Sequence, residues 1–476
     1  MVLAVAESAF RCTVSLAEDT RRTWPWSIDR CVGSRTGDKA LRIVMDPGVL
    51  MSAAGGGHAR TGVFRVASEL LRFLHGAPGV EVVLPTADMA RINSLNHVLL
   101  RDFPPDFARY GCPPVRWLMR TIDGLLPHAK QVNAARPTKR ARLRPFVSDG
   151  AYAAGRLALL LQRALCWRAR PGEDTLGDVY LSACDPLPDA SSGVPRLATV
   201  YDILPLTHPE WFPQDGGHHE FLTKLVMSVK EDDWVLTISE ATRNELLAYC
   251  PGMRRSQVVV SYPGARAVFS PQGKEECRRV RERYGIPAGV PYFLGVSTIE
   301  IRKNFARAVE AFARFLQSGE GADSWLVLAG AKGWKTGEMY ERVAADPLLS
   351  ERVLFTGYVS DEDLPALYSD ALCFVYPSLG EGFGLPVVEA MRCGTAVITS
   401  SVSSLPEVAG SAAELVDPMD VGEIEAAMRV LATDSTRRER REREGLLQAA
   451  AFTWERFGNG VLEIMARMRE VPCPWS

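Results

Sequence analysis

The sequence has no closely spaced cysteine pairs, no long apolar run, no net charge to speak of, and no histidine beyond its N-terminal half. Ten cysteines (12, 31, 112, 166, 184, 250, 277, 373, 393 and 473) are scattered over 476 residues without one CxxC. That scatter excludes a disulfide frame or a cysteine zinc site and reads as reduced thiols in a cytoplasmic protein. No stretch reaches the ~18 apolar residues of a membrane span, and the nearest, 157–167, is broken by Arg163. The start, MVLAVAESAFRC, has no basic n-region and no long h-region, so no signal peptide is expected. All seven histidines (58, 75, 97, 128, 208, 218 and 219) precede residue 220, so none can be supplied by the second half of the chain.

With 47% hydrophobic and 24% charged residues, the chain is globular in composition and too long for one core of roughly 250–300 residues. Two domains are expected. The net charge of -2 hides a split, because 273–476 carries 23 basic and 30 acidic groups and 1–272 carries 32 and 27. Twelve Lys and Arg against two Asp fall within 115–170. The part from 129 to 170 combines ten positive charges with helical apolar spacing at 152–167, enough to attract an anionic membrane surface at ~1 kcal/mol per well-placed charge. The alternative is a solubilising loop followed by a core helix.

After an extension, 1–40, the pattern predicts a strand at 42–45, a glycine-rich loop at 53–62, a helix at 63–75 and a strand at 80–84. Short apolar runs (197–201, 234–238, 258–262) then alternate with helical ones. A second series follows 268–273, with strands at 293–296, 325–328, 353–355, 373–376 and 396–399, and helices at 304–316, 361–368 and 386–392. Such alternation predicts two α/β domains with parallel sheets. Segment 437–444 interleaves charges of both signs and reads as a solvated helix face stitched by ion pairs. Asp232 and Asp233 read as a solvated strand start. Asp361-Glu362-Asp363 has D-x-D spacing, but between a strand and a helix it reads as an N-cap at Asp361 and a first-turn charge at Asp363 rather than a metal site.

The densest chemical signal is YPSLGEGFGLPVVEAMRCG (376–394), followed by SSLPEVAG (403–410). A strand ends at Tyr376, a glycine-rich loop carries Glu381, and Pro386 takes a helix-start position where its missing N–H costs nothing. The amides of Phe383, Gly384 and Leu385 then form a helix N-terminus fit for a diphosphate. Glu389, eight residues after Glu381, can face the same crevice. Two carboxylates beside a phosphate site suit hydroxyls, such as those of a sugar and a ribose. Taken singly, Glu381 is a loop residue, Glu389 a helix residue and the glycines turn-formers.

EGFGLPVVEAM (381–391) resembles the E-x7-E segment of family 4 retaining glycosyltransferases of the GT-B fold. Its flanks fit too, as do GVSTIEIRKN (295–304), LAGAKGW (328–334) and FTGYVSDEDL (355–364). In the first half RTGVFRV (60–66), TVYDILP (199–205) and ISEATR (238–243) fit more loosely. The resemblance covers about 42–460 and implies two Rossmann-like domains facing each other across a deep crevice: an acceptor domain at 41–270, a nucleotide-sugar domain at 271–452, and a C-terminal helix in 453–476 crossing back to the first.

It further implies that Glu381 contacts the transferred sugar, Glu389 holds the ribose, and Arg302 with Lys303 binds the diphosphate beside the amides of 383–385. Tyr358 and Val359 would lie by the nucleotide base, Gly62 in the loop facing the crevice, and His58, Tyr201 and Asp202 on the acceptor side. Two departures stand out. Gly295 is followed by Val-Ser-Thr where many relatives have a basic residue, and Tyr201 precedes Asp202 where relatives often have His.

The implied activity is a retaining hexosyl transfer from a nucleotide-diphosphate sugar to a glycan or lipid-linked acceptor in surface-polysaccharide (lipopolysaccharide) synthesis, with no metal or other cofactor and no nucleic acid. Mannose from GDP-mannose is the first expectation, by likeness to bacterial surface-polysaccharide mannosyltransferases. Rhamnose, glucose and N-acetylglucosamine donors are alternatives, as is a non-catalytic GT-B protein that binds a nucleotide or glycan. The expected location is the cytoplasm, with 129–170 touching the inner face of the membrane.

Overall fold

The computed structural model describes residues 40–52, 62–84, 103–104, 177–188, 193–213, 217–321 and 323–470. His58, most of the glycine-rich loop, the basic stretch 129–170 and nearly all of the extension 1–40 lie outside the described residues.

Among the described residues, twelve strands form two parallel six-stranded sheets. The first contains β1 (Leu41–Asp46), β2 (Val80–Val83), β3 (Val179–Ser182), β4 (Arg196–Val200), β5 (Trp234–Thr237) and β6 (Val258–Val260), in the order β2-β1-β3-β4-β5-β6. The second contains β7 (Tyr292–Val296), β8 (Trp325–Ala329), β9 (Val353–Gly357), β10 (Cys373–Tyr376), β11 (Val397–Ser400) and β12 (Ala413–Val416), in the order β12-β11-β10-β7-β8-β9. In the second, β7 pairs with β8 on one side and β10 on the other, so the strand order reverses between β7 and β10. Ligands of doubly wound sheets bind at that reversal, beyond the carboxyl ends of the strands. The loops that follow there are 297–304 and 377–384, which the sequence marks as chemical.

Buried parallel strands are predominantly apolar, as β5, β10, β11 and β4 after its leading Arg196 are, each wholly buried. Among the strands that depart from that pattern are β3 and β12. β3 is only VYLS, and β12 (AELV) carries a glutamate at Glu414. Glu414 is tolerated because Arg437 and Arg441, on the helix Ser435–Ala449, donate to it at 2.7 and 2.9 Å. That corrects the wholly solvated reading of 437–444, although Arg438–Glu442 and Arg443–Glu439 do pair along the helix. Asp233 is likewise buried, held by Arg196 Nε and Nη2 at 2.8 and 2.6 Å, not solvated. A guanidinium fork offers a carboxylate two charge-assisted bonds, enough to hold it away from water.

The helices that bear on the crevice are α1 (Gly62–Gly76), α2 (Glu240–Tyr249), α3 (Phe305–Gln317), α4 (Leu364–Asp370), α5 (Leu385–Arg392), α6 (Leu405–Ala409) and α7 (Trp454–Glu470). α7 packs on α1, where Phe73 sits so tightly over Gly458 that no Cβ would fit. Ser261 Oγ also donates to the Phe457 carbonyl at 2.9 Å, and Arg467 lies over the Trp234 ring at 5.1 Å.

The seam between the sheets is held by polar contacts of high precision. The Glu407 carboxylate on α6 accepts the N–H groups of Glu240 and Ala241, both at 2.9 Å, and the Tyr262 hydroxyl at 2.9 Å. A side chain from one sheet's layer thus satisfies the open N-terminus of a helix in the other. Thr242 Oγ1 donates to the carbonyls of Tyr201 and Gly382, and Trp334 Nε1 donates to the Trp211 carbonyl at 2.8 Å. Glu407→Ala should therefore lower stability by about 1–2 kcal/mol, the range for a lost helix cap, read as a shift in the urea midpoint. Glu407→Gln, which keeps an acceptor, should lose less.

Candidate active site

Lys303 and Arg302 sit in a single 3-10 turn (Ile301–Lys303) that follows β7. It ends at Asn304, whose positive φ of 60° an Asn accepts more readily than most residues. Asn304 Nδ2 donates to the carbonyls of Pro377 and Pro418 at 2.9 and 2.7 Å, anchoring the turn to the loop after β10. The Leu379 N–H and Ser378 Oγ both bond the Arg302 carbonyl. The loops flanking the β7/β10 reversal are thereby stitched into one surface.

Glu381 is the centre of that surface. Its Oε1 accepts Lys303 Nζ at 2.6 Å, Ser378 Oγ at 2.6 Å and the Tyr376 hydroxyl at 2.8 Å, while Oε2 accepts Arg302 Nη1 at 2.7 Å. Arg302 Nη2 also donates to Glu300 at 2.8 Å. Glu381 and Lys303 are each only 8% exposed, so these charges are almost wholly removed from water. Burial alone would raise the Glu381 pKa, but Arg302, Lys303 and the hydrogen bonds outweigh it and bring it down to about 2. Lys303 is shifted down, by burial first and then by its neighbour Arg302.

The structure thus gathers Arg302, Lys303 and Glu381, to which the resemblance gives separate duties on diphosphate and sugar. It adds Tyr376, Ser378 and Glu300. Ser403 and Ser404 also grip the loop, both donating to the Glu381 carbonyl, and Ser404 reaches the Phe383 carbonyl as well. Tyr376 and the serines lie inside the quoted motif segments, but which face of the loop they serve depends on chain reversal and is invisible in spacing.

α5 begins at Leu385 behind Gly384, whose φ of 105° is open to glycine, and Pro386 lies in its first turn. The Phe383 ring is buried against Tyr262 and Phe452, leaving only its backbone for a ligand. Gly62 opens α1 and faces Leu385 across the crevice, a Cβ there lying 3.9 Å from Leu385 Cδ1. Tyr201 and Asp202 stand at the end of β4, where the Tyr201 carbonyl approaches Gly382 too closely to admit a side chain. Asp202 accepts the Leu204 N–H at 3.1 Å. Its pKa is raised by burial, against the pull of Arg302, and it feels Glu381 as well. Loops from the two sheets therefore meet at Glu381.

Glu389 is 3% exposed and accepts Arg65 Nη1 at 2.8 Å and, weakly, the Tyr368 hydroxyl at 3.4 Å. Tyr358 is 61% exposed and Val359 buried. Asp361 is not the expected N-cap, because α4 starts at Leu364 and Ser360 supplies the local turn through the Asp363 N–H. Asp361 instead bonds Arg65 at 2.6 Å and Arg266 at 2.7 Å, while Asp363 bonds Arg283 and Tyr284. Charged partners outcompete backbone amides for both carboxylates. Among the described residues no cluster could hold a metal ion, and no helix is long and apolar enough to cross a membrane.

Glu381→Gln should destabilise the fold by about 3–5 kcal/mol at pH 7, because it leaves buried Lys303 without its carboxylate partner and Arg302 with Glu300 alone. Glu381 carries a depressed folded-state pKa, so its contribution is present above the ordinary value of 4.5 and lost as pH falls toward about 2. The urea-midpoint gap between wild type and Glu381→Gln should accordingly narrow across that window.

Residues 278–448 match the family described as glycosyl transferases group 1. O-antigen chain mannosyltransferase B of Escherichia coli is 31% identical over 69% of this chain and 84% of its own length. The 2-deoxystreptamine glucosyltransferase of Streptomyces kanamyceticus is 25% identical over 70% and 82%. Among solved structures, Anabaena HepE in complex with UDP and glucose superimposes with a TM-score of 0.56 over 89% of this chain and 98% of its own, at 15% identity. WaaG, a glycosyltransferase involved in lipopolysaccharide biosynthesis, gives 0.56 over 89% and 99%, at 12% identity. The two parallel sheets have the GT-B architecture, and the chain belongs to the group 1 glycosyltransferases.

Proposed function

We propose that the protein transfers mannose from GDP-mannose to a glycan or lipid-linked acceptor, with retention of anomeric configuration, in surface-polysaccharide synthesis. The observation that carries the reading is the buried cluster of Glu381, Lys303 and Arg302 at the strand-order reversal, met from the other sheet by Asp202. The E. coli relative's name supports mannose and an O-antigen acceptor, and the Anabaena structure's ligands support a nucleotide-diphosphate donor. Glucose is the second reading, favoured by the Streptomyces relative's name.

In this reading Arg302 and Lys303 stabilise the departing diphosphate, helped by the amides of 383–385, while Glu381 faces the oxocarbenium-like sugar. Tyr358 and Val359 border the base, and Gly62 leaves room at the first turn of α1. The bond from sugar C1 to the phosphate oxygen breaks, the acceptor oxygen bonds C1 on the same face, and its proton passes to the departing phosphate oxygen. That front-face route needs no enzyme base and no metal. It is favoured over a covalent route because, among the described residues, this reading gives no second carboxylate to the opposite face of the sugar. Asp202 and Tyr201 border the acceptor path. His58 and the stretch 129–170 are proposed there too, the latter at the inner face of the membrane.

A panel of GDP- and UDP-sugars, scored for donor turnover and product anomer, tests the proposal. GDP-mannose should be consumed fastest and give an α product. Glu381→Ala, assayed below its melting temperature, should turn over on the order of 10²-fold more slowly or worse. Unchanged turnover in that variant would remove Glu381 from the chemistry, and no rise in melting temperature with any nucleotide would remove the donor.

A further inference from the structure

Arg65 lies in the first turn of α1, on the first sheet's side of the crevice, yet both of its bonds go to the second sheet's side. Nη1 donates to Glu389 Oε1 at 2.8 Å and Nη2 to Asp361 Oδ1 at 2.6 Å. Asp361 Oδ2 takes Arg266 Nη2 at 2.7 Å, so carboxylates and guanidiniums alternate in the order Glu389, Arg65, Asp361, Arg266. The Glu389 side chain is 4% exposed and that of Arg65 24% exposed. A carboxylate that deep requires a countercharge to stay ionised. Among the described residues, the cation that supplies it by direct contact is Arg65, from the other domain's helix.

We infer that Arg65 is a positioning residue for the donor: it holds Glu389 ionised and oriented so that the carboxylate can receive two ribose hydroxyls. The inference rests on the reading of Glu389 as the ribose-holding group. An ionised carboxylate offers about four lone-pair sites and acts only as an acceptor. Arg65 takes one and the Tyr368 hydroxyl, at 3.4 Å, weakly takes another. Among the described residues that leaves about two, the number a vicinal diol needs. Protonation would turn one oxygen into a donor and break that match.

The groups facing Glu389 are Arg65 from α1, Arg266 from the segment after β6, Asp361 from the loop after β9, Tyr368 from α4 and Cys393 at the end of its own helix. Burial raises the Glu389 pKa, and Arg65 is the strongest influence drawing it back down. Removing Arg65 must then push Glu389 further up, so protonation begins at a higher pH.

The test measures the Kd of GDP, and of UDP, to the full chain between pH 5 and 9 for wild type, Arg65→Gln, Arg65→Lys and Glu389→Gln, each checked for folding by circular dichroism. A parallel series uses the 2′-deoxynucleotide. Arg65→Gln should weaken binding about 10-fold or more near neutral pH, move the acid limb of the binding profile to higher pH and lose its preference for ribose on the acid side. Arg65→Lys should restore most of both. Donor KM should rise far more than kcat falls. An unchanged pH profile in folded Arg65→Gln, or a loss of affinity equal at every pH and equal for both sugars, overturns the assignment. Glu389→Gln separates the two claims. If it keeps the preference for ribose, the ribose reading itself fails and the inference with it. If it loses that preference while Arg65→Gln behaves as wild type, only the role of Arg65 fails.

Discussion

A buried carboxylate needs cations, and in this protein that requirement at Glu381 organises everything around the crevice. Four side chains bond its two oxygens, and three of them come from neighbouring points on the loops after β7 and β10. The fourth, Tyr376, is the last residue of β10. To bring Arg302 and Lys303 there, the chain must turn tightly at Asn304, which in turn is fastened to Pro377 and Pro418. Loop geometry, strand order and charge balance are therefore one constraint seen from three sides. Cations placed this way are pre-oriented, which is what stabilising a departing anion requires, since no reorganisation remains to be done when charge develops.

The same logic recurs between the domains. Glu407 caps α2 from across the seam, Arg65 reaches over to Glu389 and Asp361, and Asp202 closes toward Arg302 and Glu381. Apolar packing along α1 and α7 gives the domains adhesion, but apolar contact is non-directional and cannot set their relative angle. Charge-assisted bonds can. Each couples a residue of the first sheet's half to one of the second sheet's half, so the crevice is defined by both halves together.

Much of this was legible in the residues. The apolar runs of β4, β5, β7, β10 and β11 announce buried parallel strands, and Gly384 with Pro386 marks the start of α5. The E-x7-E spacing points to two carboxylates on one crevice. Less legible were β3 and β12, each four residues long, the latter interrupted by Glu414. Asp361 and Asp233 deceived for a shared reason: local pattern assigns a carboxylate to the nearest amide or to water, whereas a distant guanidinium binds it more strongly. Arg65 stood inside a quoted motif with no duty, because its partners are about 300 residues away in the chain.

By itself the sequence determined the layered α/β architecture, the division into two halves of opposite charge, and the identity of the loop that carries Glu381. Those follow from periodicity and from backbone preferences, which act over a few residues. Only the tertiary structure decided that Arg302 and Lys303 converge on Glu381, that Glu407 caps a helix of the other half, and that Glu389 draws its countercharge from Arg65. Ion pairing in a buried crevice depends on distances of about 3 Å between residues far apart in sequence. Such distances are set by how sheets and helices pack, and no spacing along the chain encodes them.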